Sequence, residues 1–210
     1  RAGGVETEEI DRAEGARLWP CADLTPFAAF GWEARGGYGD AYQTAQAFAA
    51  SARTAGVRVR QGTPATGLLV DGDRVTGVRL ADGSEISAGT VVVATGVWTR
   101  PLLEPYGVDV PIRVIREQIV MIDPGVQIGP VPVFSDLVSL QYVRPELGGH
   151  ILFGNSDLPG YDDIEAADPD GYLNRATDAF VDVTVDKVGT RFPGFPDASI
   201  SSSYAGCYDV

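Results

Sequence analysis

Residues that bind metals or form disulfides are almost missing from this sequence. Cys21 and Cys207 are its only cysteines and His150 is its only histidine, whereas a structural zinc site uses four cysteine or histidine ligands. Two cysteines are also too few for the disulfide-rich scaffold of a small secreted domain, and no basic and apolar signal segment opens the sequence. We therefore predict no metal site and a reducing, cytoplasmic location.

Positive charge and long apolar runs are scarce as well. The 210 residues include 16 Lys and Arg against 29 Asp and Glu, and the resulting net charge of −13 repels nucleic acid and anionic membranes. No apolar run approaches the roughly 20 residues that span a bilayer. A content of 44% hydrophobic and 9% aromatic residues is nevertheless typical of a globular protein. We predict a globular chain without a nucleic-acid or membrane partner.

Common catalytic motifs are also missing. A Ser-His-Asp triad would have to use His150, but no serine lies in a G-x-S-x-G motif, and a polar turn residue is the simpler interpretation of His150. Gly36, Gly37 and Gly39 form no G-x-G-x-x-G motif after a strand, and no G-x-x-x-x-G-K-[ST] sequence occurs. A chain without catalytic groups of its own indicates that a bound cofactor performs the chemistry.

The first half of the sequence predicts two helices and a small sheet. Thr7 can cap a helix over residues 8–17, and Asp40 can cap a helix over residues 41–55 that ends at Gly56. Short β-rich runs then follow, with Asp-Gly turns after residues 70 and 81. Because Asp-Gly between such runs is a hairpin signal, we predict a three-stranded meander. The runs cover residues 57–61, 66–70, 74–80 and 84–86.

Residues 91–94, Val-Val-Val-Ala, form a continuous apolar run that predicts a strand covered on both faces. The run ends at Thr95 and Gly96. A glycine turn at the carboxyl end of a buried strand is where open α/β sheets bind ligands, because backbone N–H groups stay free there. The alternative is that Gly96 only turns the chain and Trp98 belongs to the core.

The second half of the sequence predicts an antiparallel arrangement. A long β-rich segment covers residues 112–122, and two further strands over 138–143 and 150–154 flank a turn. Asp168 and Pro169 predict the start of a helix that carries apolar residues on one side. The last predicted strand covers residues 199–205.

Seven short segments share their residues and their order with one known group of enzymes. They are residues 37–42, 55–59, 62–65, 75–78, 91–98, 142–146 and 205–209. With these segments the sequence resembles the FAD-dependent amine oxidoreductases of the D-amino acid oxidase superfamily, which includes sarcosine oxidase, glycine oxidase and dimethylglycine dehydrogenase. The likeness extends over nearly the whole chain.

The resemblance implies a mixed α/β fold made of two domains. Residues 36–110 would form the central part of a discontinuous, Rossmann-like FAD-binding domain. Residues 1–35 and 111–200 would form a mostly antiparallel substrate domain with flanking helices, and residues 201–210 would begin the return into the FAD-binding domain. Both ends of the sequence look cut, so we expect a fragment of a longer protein.

The resemblance also implies site residues. Those expected to contact FAD are Thr63, Pro64 and Ala65 at the adenosine half, Ala94, Thr95, Gly96 and Trp98 along the phosphate and ribitol, and Gly206. Those expected on the substrate side of the flavin are Tyr142, Arg144 and Tyr208. Two plainer interpretations stay open: Arg144 as a surface charge on a turn with Glu146, and Tyr142 as a cross-strand aromatic.

The sequence departs from its relatives at two places. Some sarcosine oxidases bind FAD through a cysteine where this chain has Gly206, and Cys207 is displaced by one residue, which on a strand turns it to the other face. We therefore expect noncovalent FAD, unless a histidine in an N-terminal part outside this sequence is the attachment point. Oxidases of the group place a lysine over the flavin where Leu152 stands, so we favour a dehydrogenase over an oxidase; the alternative is an oxidase that activates oxygen in another way.

The expected reaction is oxidation of the C–N bond of a secondary or tertiary amine or amino acid, similar to sarcosine or dimethylglycine, by hydride transfer to flavin N5. The sequence lacks the dinucleotide-binding motif with which the family begins. We therefore expect the isolated chain to be inactive and free of FAD. The alternative is a catalytically silent relative or binding subunit that retains the fold.

Overall fold

The computed structural model describes residues 4–156 and 168–210. The strands are β1 (Glu8–Ile10), β2 (Phe30–Trp32), β3 (Ala65–Asp71), β4 (Arg74–Leu80), β5 (Glu85–Ser87), β6 (Val114–Asp123), β7 (Phe134–Asp136), β8 (Gln141–Pro145), β9 (Ile151–Asn155) and β10 (Ser199–Asp209). The α-helices are α1 (Arg12–Leu18), α2 (Ala41–Thr54), α3 (Thr99–Leu103) and α4 (Asp178–Arg191). Within the described ranges, no helix combines the length and the apolar character needed to cross a membrane.

The chain divides into two compact units. The first contains the described residues of Arg1–Tyr38 together with Ile115–Cys207, and the second contains Gly39–Val114 together with Tyr208–Val210. The first unit is built on a five-stranded sheet in the order β10-β6-β9-β8-β7. The second unit contains α2, α3 and a three-stranded sheet in the order β3-β4-β5.

The core of the first unit lies between one face of its sheet and α4. Val120, Val143 and Phe153 project from the sheet and pack with Phe180 and Phe192 of the helical segment. The antiparallel pairing of β8 with β9 and of β6 with β9 agrees with the sequence prediction for this half. The prediction missed the edge strand β7, a three-residue strand of marginal length.

Helix α4 begins about ten residues later than the sequence predicts. Thr177 is its cap, and its hydroxyl accepts a hydrogen bond from the Phe180 N–H at 3.3 Å. The preceding residues are held in another way, since the Arg116 guanidinium donates to the carbonyl oxygens of Leu173 and Arg175 at 3.3 and 3.1 Å. The Asp168-Pro169 prediction was therefore wrong because a long-range arginine occupies those carbonyls.

The first predicted helix is also corrected. Glu8–Ile10 forms β1 and pairs antiparallel with Phe30–Trp32. Helix α1 starts only at Arg12, where the Asp11 carboxylate accepts from the Glu14 N–H at 2.8 Å. Pairing with a distant strand thus replaces the first turn that Thr7 would have capped.

The second unit confirms the predicted α2 and the meander. The Asp40 carboxylate caps α2 by accepting from the Gln43 N–H at 2.6 Å. In the sheet, Val78 of β4 lies opposite Leu68 of β3 on one side and Ile86 of β5 on the other. No side chain of α2 is buried in the described structure, and Phe48 is 74% exposed.

The strand predicted over residues 91–94 does not form. Residues 90–95 and 57–61 form no strand, and Val92 is exposed. A strand requires a hydrogen-bonded neighbour, and none of the described strands pairs with either segment. The apolar run therefore favours a strand locally, but no described strand of this chain pairs with it.

Candidate functional site

The second face of the five-stranded sheet, opposite the core, carries the substrate-side candidates of the first unit. Alternation along β6 defines this face. Gln118 accepts from the Thr177 N–H at 2.8 Å and Arg116 reaches Leu173, so both point toward the α4 side. Glu117, between them, points to the second face. Ile119 shares that face, because its neighbour Val120 belongs to the core.

Tyr142 lies on the second face of β8 and its ring covers Gly154 of β9. An ideal Cβ placed on Gly154 would be 2.1 Å from the Tyr142 Cζ atom, so the ring occupies the space that any larger residue would need. The register aligns Tyr142 with Gly154 and Gly154 with Ile119. One row across three strands therefore consists of an aromatic ring, a glycine and an isoleucine, and the sequence interpretation of Tyr142 as a cross-strand aromatic describes this geometry.

Arg144, two residues along β8, is held by its own neighbours. Its Nε donates to Glu146 Oε1 at 2.6 Å, and its Nη2 donates to the same oxygen. The guanidinium also lies 4.7 Å from the centre of the Tyr38 ring, and the Tyr38 hydroxyl donates to the Pro145 carbonyl. The pairing with Glu146 is the one that the plainer interpretation proposed. The charge of Arg144 is therefore already compensated within the first unit.

Three apolar side chains and one acid of β6 and β9 are buried on the same face. Ile115, Ile119 and Leu152 are buried, and Glu117 is only 7% exposed. Burial raises the pKa of the Glu117 carboxyl above its usual value. Sequence analysis did not single out Glu117, although an acid in the middle of a β-rich segment is the signal that could have identified it.

The adenosine-side candidates lie where β3 begins in the second unit. The Pro64 carbonyl accepts from the Ala81 N–H at 2.9 Å, and Ala65 pairs with Leu80. Thr63 Oγ1 donates to the Gln61 carbonyl at 3.1 Å. The structure thus brings these three residues together at one end of the small sheet.

The second group of cofactor candidates forms a short turn ahead of α3. Gly96 has a φ of +52°, a left-handed conformation that suits glycine, and it opens a single 3₁₀ turn over Gly96–Trp98. Thr95 Oγ1 lies 3.0 Å from Thr99 Oγ1. Trp98 is 46% exposed, so it does not occupy the core position that the alternative interpretation gave it.

The backbone of this turn can accommodate a polar ligand. Among the backbone hydrogen bonds of the described residues, none uses the N–H groups of Gly96 or Val97. An ideal Cβ on Gly96 would meet only the Asp209 Oδ2 atom, at 3.9 Å. Free donors next to a position without a side chain suit the close approach of phosphate or ribitol oxygens. The residues present therefore fit FAD in this respect.

The remaining candidates lie on β10. A Cβ on Gly206 would meet no atom within 4 Å, so this glycine stands in open space. Tyr208 is exposed and belongs to the second unit, whereas Tyr142 and Arg144 belong to the first. Cys207 and Cys21 are free thiols. Burial raises the pKa of both.

Known proteins share this fold. The L-proline dehydrogenase of P. horikoshii superposes with a TM-score of 0.84 at 24% identity, covering 98% of this chain and 53% of that one. The glycine oxidase of Pseudomonas putida is 33% identical over 113 residues, which are 53% of this chain and 30% of that protein. Sarcosine oxidase subunit beta of an Arthrobacter species is 27% identical over 212 residues, 99% of this chain and 50% of that subunit.

These likenesses define the class as FAD-dependent oxidoreductases. The family model for FAD dependent oxidoreductases matches residues 1–210, and this chain belongs to that family. The resemblance drawn from seven sequence segments and the mixed fold class are thereby confirmed. The chain spans between about a third and a half of the length of the relatives named above.

Proposed function

We propose that the protein containing this chain oxidises the C–N bond of a secondary or tertiary amine or amino acid, of the size of an N-methylated glycine. Membership of the FAD dependent oxidoreductase family is the observation that carries the proposal. The names of two relatives, glycine oxidase and sarcosine oxidase subunit beta, support a small amino acid or its N-methyl derivative as the substrate. FAD, when bound, supplies the hydride acceptor.

The residues proposed to hold FAD belong to the second unit and to β10. Thr63, Pro64 and Ala65 would contact the adenosine half, and the turn from Ala94 to Trp98 would contact the phosphate and ribitol. Gly206 in place of an attachment cysteine supports noncovalent binding. The proposed domain assignment follows: residues 36–110 as FAD-binding, 1–35 and 111–200 as substrate-binding, and 201–210 as the return.

The chain's own residues would orient the substrate and exclude water. Tyr142 offers a phenol above Gly154, and Ile119 and Leu152 give the same face an apolar floor. Holding the reacting C–H bond in one orientation converts an intermolecular step into an effectively intramolecular one. Arg144 and Tyr208 complete the proposed substrate contacts. A cytoplasmic location remains part of the proposal, and the free thiols Cys21 and Cys207 support it.

Leu152 supports a dehydrogenase in preference to an oxidase. It is buried and apolar, and it provides no ammonium group that could stabilise the anion formed when oxygen accepts an electron. The full-length protein, once reduced by substrate, should reoxidise slowly in air-saturated buffer and quickly with an artificial acceptor. Rapid reoxidation by oxygen in stopped-flow measurements would contradict the dehydrogenase assignment.

The function is tested by the absorbance spectrum of the full-length protein under nitrogen. Addition of N-methylglycine, N,N-dimethylglycine, glycine or proline should bleach the flavin bands with at least one of these compounds. Carboxylates of the same size that lack an amine, such as methoxyacetate, serve as controls and should leave the bands oxidised. A flavin that no amine of the panel reduces would favour the alternative, a silent relative or binding subunit.

A further inference from the structure

Glu117 is an acid without a partner in a place that disfavours charge. It lies in the middle of β6 and is 7% exposed. Among the described residues, no hydrogen bond or ion pair reaches its carboxyl, and burial alone raises its pKa. The carboxyl oxygens are not among the fully enclosed unpaired polar atoms of the described residues, so they reach the surface of this face. Desolvating a carboxylate without a partner is costly, and a desolvated acid that a ligand can reach is a candidate functional residue. The other buried acid among the described residues of the first unit, Asp136, is paired with Ser139, Gln141 and Arg191. The contrast marks Glu117 as unusual within its own unit.

The position of Glu117 relates it to the other substrate-side candidates. Alternation along β6 places it on the second face, two residues from Ile119. Ile119 belongs to the row that contains Gly154 and Tyr142. The Tyr142 ring leans over Gly154, which brings this aromatic side chain closer to β6. Glu117 is thus an anionic group beside an apolar and aromatic surface.

We propose that Glu117 is a specificity-determining residue that binds the amine nitrogen of the substrate, an inference that rests on the proposed function. A protonated amine nitrogen, with one or two N–H groups in a tertiary or secondary amine, provides the donor and the positive charge that the buried carboxyl lacks. The apolar neighbours Ile115 and Ile119, two residues to either side of Glu117 on the same face of β6, would contact the N-methyl and α-carbon groups. A neutral or anionic ligand group at the same place would leave the carboxyl uncompensated and would bind poorly.

The chemistry of the surroundings favours an amine over the other end of an amino acid. A substrate carboxylate beside Glu117 would be repelled by it. Arg144 shares this face and is paired with Glu146, but it lies level with Met121, four residues along β6 from Glu117, and so does not attract a carboxylate to this position. A single carboxyl is also too few ligands for a divalent cation, which binds six or more oxygens. An organic ammonium is the cation that fits one carboxyl on an apolar face.

The test compares N-methylglycine with methoxyacetate in the full-length holoprotein. Methoxyacetate has the same shape, with an ether oxygen in place of the nitrogen, so it offers no N–H and no positive charge. Both affinities are measured anaerobically. The affinity for N-methylglycine comes from the concentration dependence of flavin reduction, and the affinity for methoxyacetate comes from its competitive inhibition of that reduction. In Glu117→Gln we expect affinity for N-methylglycine to fall at least tenfold and affinity for methoxyacetate to stay within about twofold.

A stability measurement separates this role from a structural one. Glu117→Gln removes a buried charge without a partner, so the variant should be at least as resistant to chemical denaturation as the wild type. Glu9→Gln, which changes an exposed acid on β1, is the matched control and should alter neither affinity nor stability. Glu117→Asp retains the charge on a side chain that is shorter by one methylene group. It should lower the affinity for N-methylglycine without lowering the affinity for methoxyacetate.

Several outcomes would overturn the inference. An unchanged ratio of the two affinities in folded Glu117→Gln or Glu117→Asp would show that the carboxyl does not meet the amine. Failure of both variants to fold would show that Glu117 is a structural residue. By contrast, a wild-type protein that binds neither compound and is reduced by no amine would refute the proposed function itself.

Discussion

At the residue scale, Tyr142 and Gly154 form one unit of structure, because the ring of the first occupies the place of a side chain on the second. The Tyr142 ring would have to move if Gly154 carried a methyl group. Overpacking of this kind costs about 1–3 kcal/mol. A change at Gly154 of β9 should therefore alter both the stability of the chain and the position of the Tyr142 phenol on the proposed substrate side.

We predict that Gly154→Ala lowers the free energy of unfolding by about 1–3 kcal/mol. Gly206→Ala is the matched control, since it adds the same methyl group to a strand glycine with no atom within 4 Å, and it should have little effect. The double variant Tyr142→Ala/Gly154→Ala should lose less free energy of unfolding than the sum of the two single variants, because removal of the ring also removes its clash with the new methyl group. Additive effects in urea denaturation would show that the two residues do not contact.

A buried ion pair joins α4 to the β7–β8 turn in the first unit. Arg191 Nε lies 2.7 Å from Asp136 Oδ2, and both side chains are buried. Burial by itself raises the pKa of Asp136, but hydrogen bonds from the Ser139 hydroxyl, the Ser139 and Val138 N–H groups and Arg191 outweigh it and lower the pKa below 3.8. A lowered carboxyl pKa stabilises the folded chain above the unfolded pKa, and this contribution disappears as pH falls through the folded value.

We predict that Asp136→Asn destabilises the chain most at neutral pH, by about 3–5 kcal/mol, because Arg191 then stays buried without its anion. The difference from the wild type should shrink as the pH falls below 3.8. Glu117→Gln should show the opposite dependence. Since the pKa of Glu117 is raised, its cost is present at neutral pH and vanishes below the usual value of 4.5. Chemical denaturation at several pH values measures the free energy of unfolding of both variants and of the wild type. A difference from the wild type that does not change with pH would contradict the pKa directions given for Asp136 and Glu117.

At the element scale, α2 and α4 are two helices of 14 residues with different surroundings. Each has a capping side chain, Asp40 and Thr177, and each carries phenylalanine on its apolar side. Phe180 of α4 is 3% exposed and belongs to the core of the first unit, whereas Phe48 of α2 is 74% exposed. The same residue type should therefore contribute very differently to the stability of this chain.

We predict that Phe180→Ala lowers the free energy of unfolding by about 3–5 kcal/mol, as for a buried aromatic. Phe48→Ala should change it by about 0.5 kcal/mol or less, because the ring already contacts water. Thermal or urea denaturation of the 210-residue chain measures both. A large loss for Phe48→Ala would mean that α2 is covered in solution.

At the scale of the whole molecule, the chain contains cofactor-contacting candidates but no G-x-G-x-x-G motif. That motif supplies backbone donors to the FAD diphosphate, and hydrogen bonds to a charged group are worth about 1.5–3 kcal/mol each. The turn at Gly96 offers only a few donors by itself. Affinity of this chain for FAD should therefore be low.

We predict that the 210-residue chain, purified alone, carries no stoichiometric flavin. The measurement is the visible absorbance after gel filtration, with the full-length protein as the control that should be yellow. A 210-residue preparation that keeps the flavin bands through gel filtration would show that the described residues suffice to bind the cofactor.

Sequence alone determined the elements whose cause is local. Asp40 and the alanine-rich stretch after it define α2, and the Asp-Gly turns define the meander of β3, β4 and β5, because caps and tight turns act over a few residues. Family membership was equally accessible, since it depended on seven ordered segments and not on any contact. The candidate residues Thr63, Gly96, Tyr142 and Tyr208 came from the same likeness.

Tertiary structure decided everything that depends on a distant partner. β1 formed where a helix was expected because β2 was available to pair with it, and α4 began late because Arg116 holds the residues before Thr177. The apolar run of residues 91–94 stayed unpaired for want of a neighbouring strand. The partners of Arg144, and the lack of a partner for Glu117 among the described residues, are likewise visible only in three dimensions. The sequence gives the charge of a side chain, but the groups that pair with this charge depend on the fold.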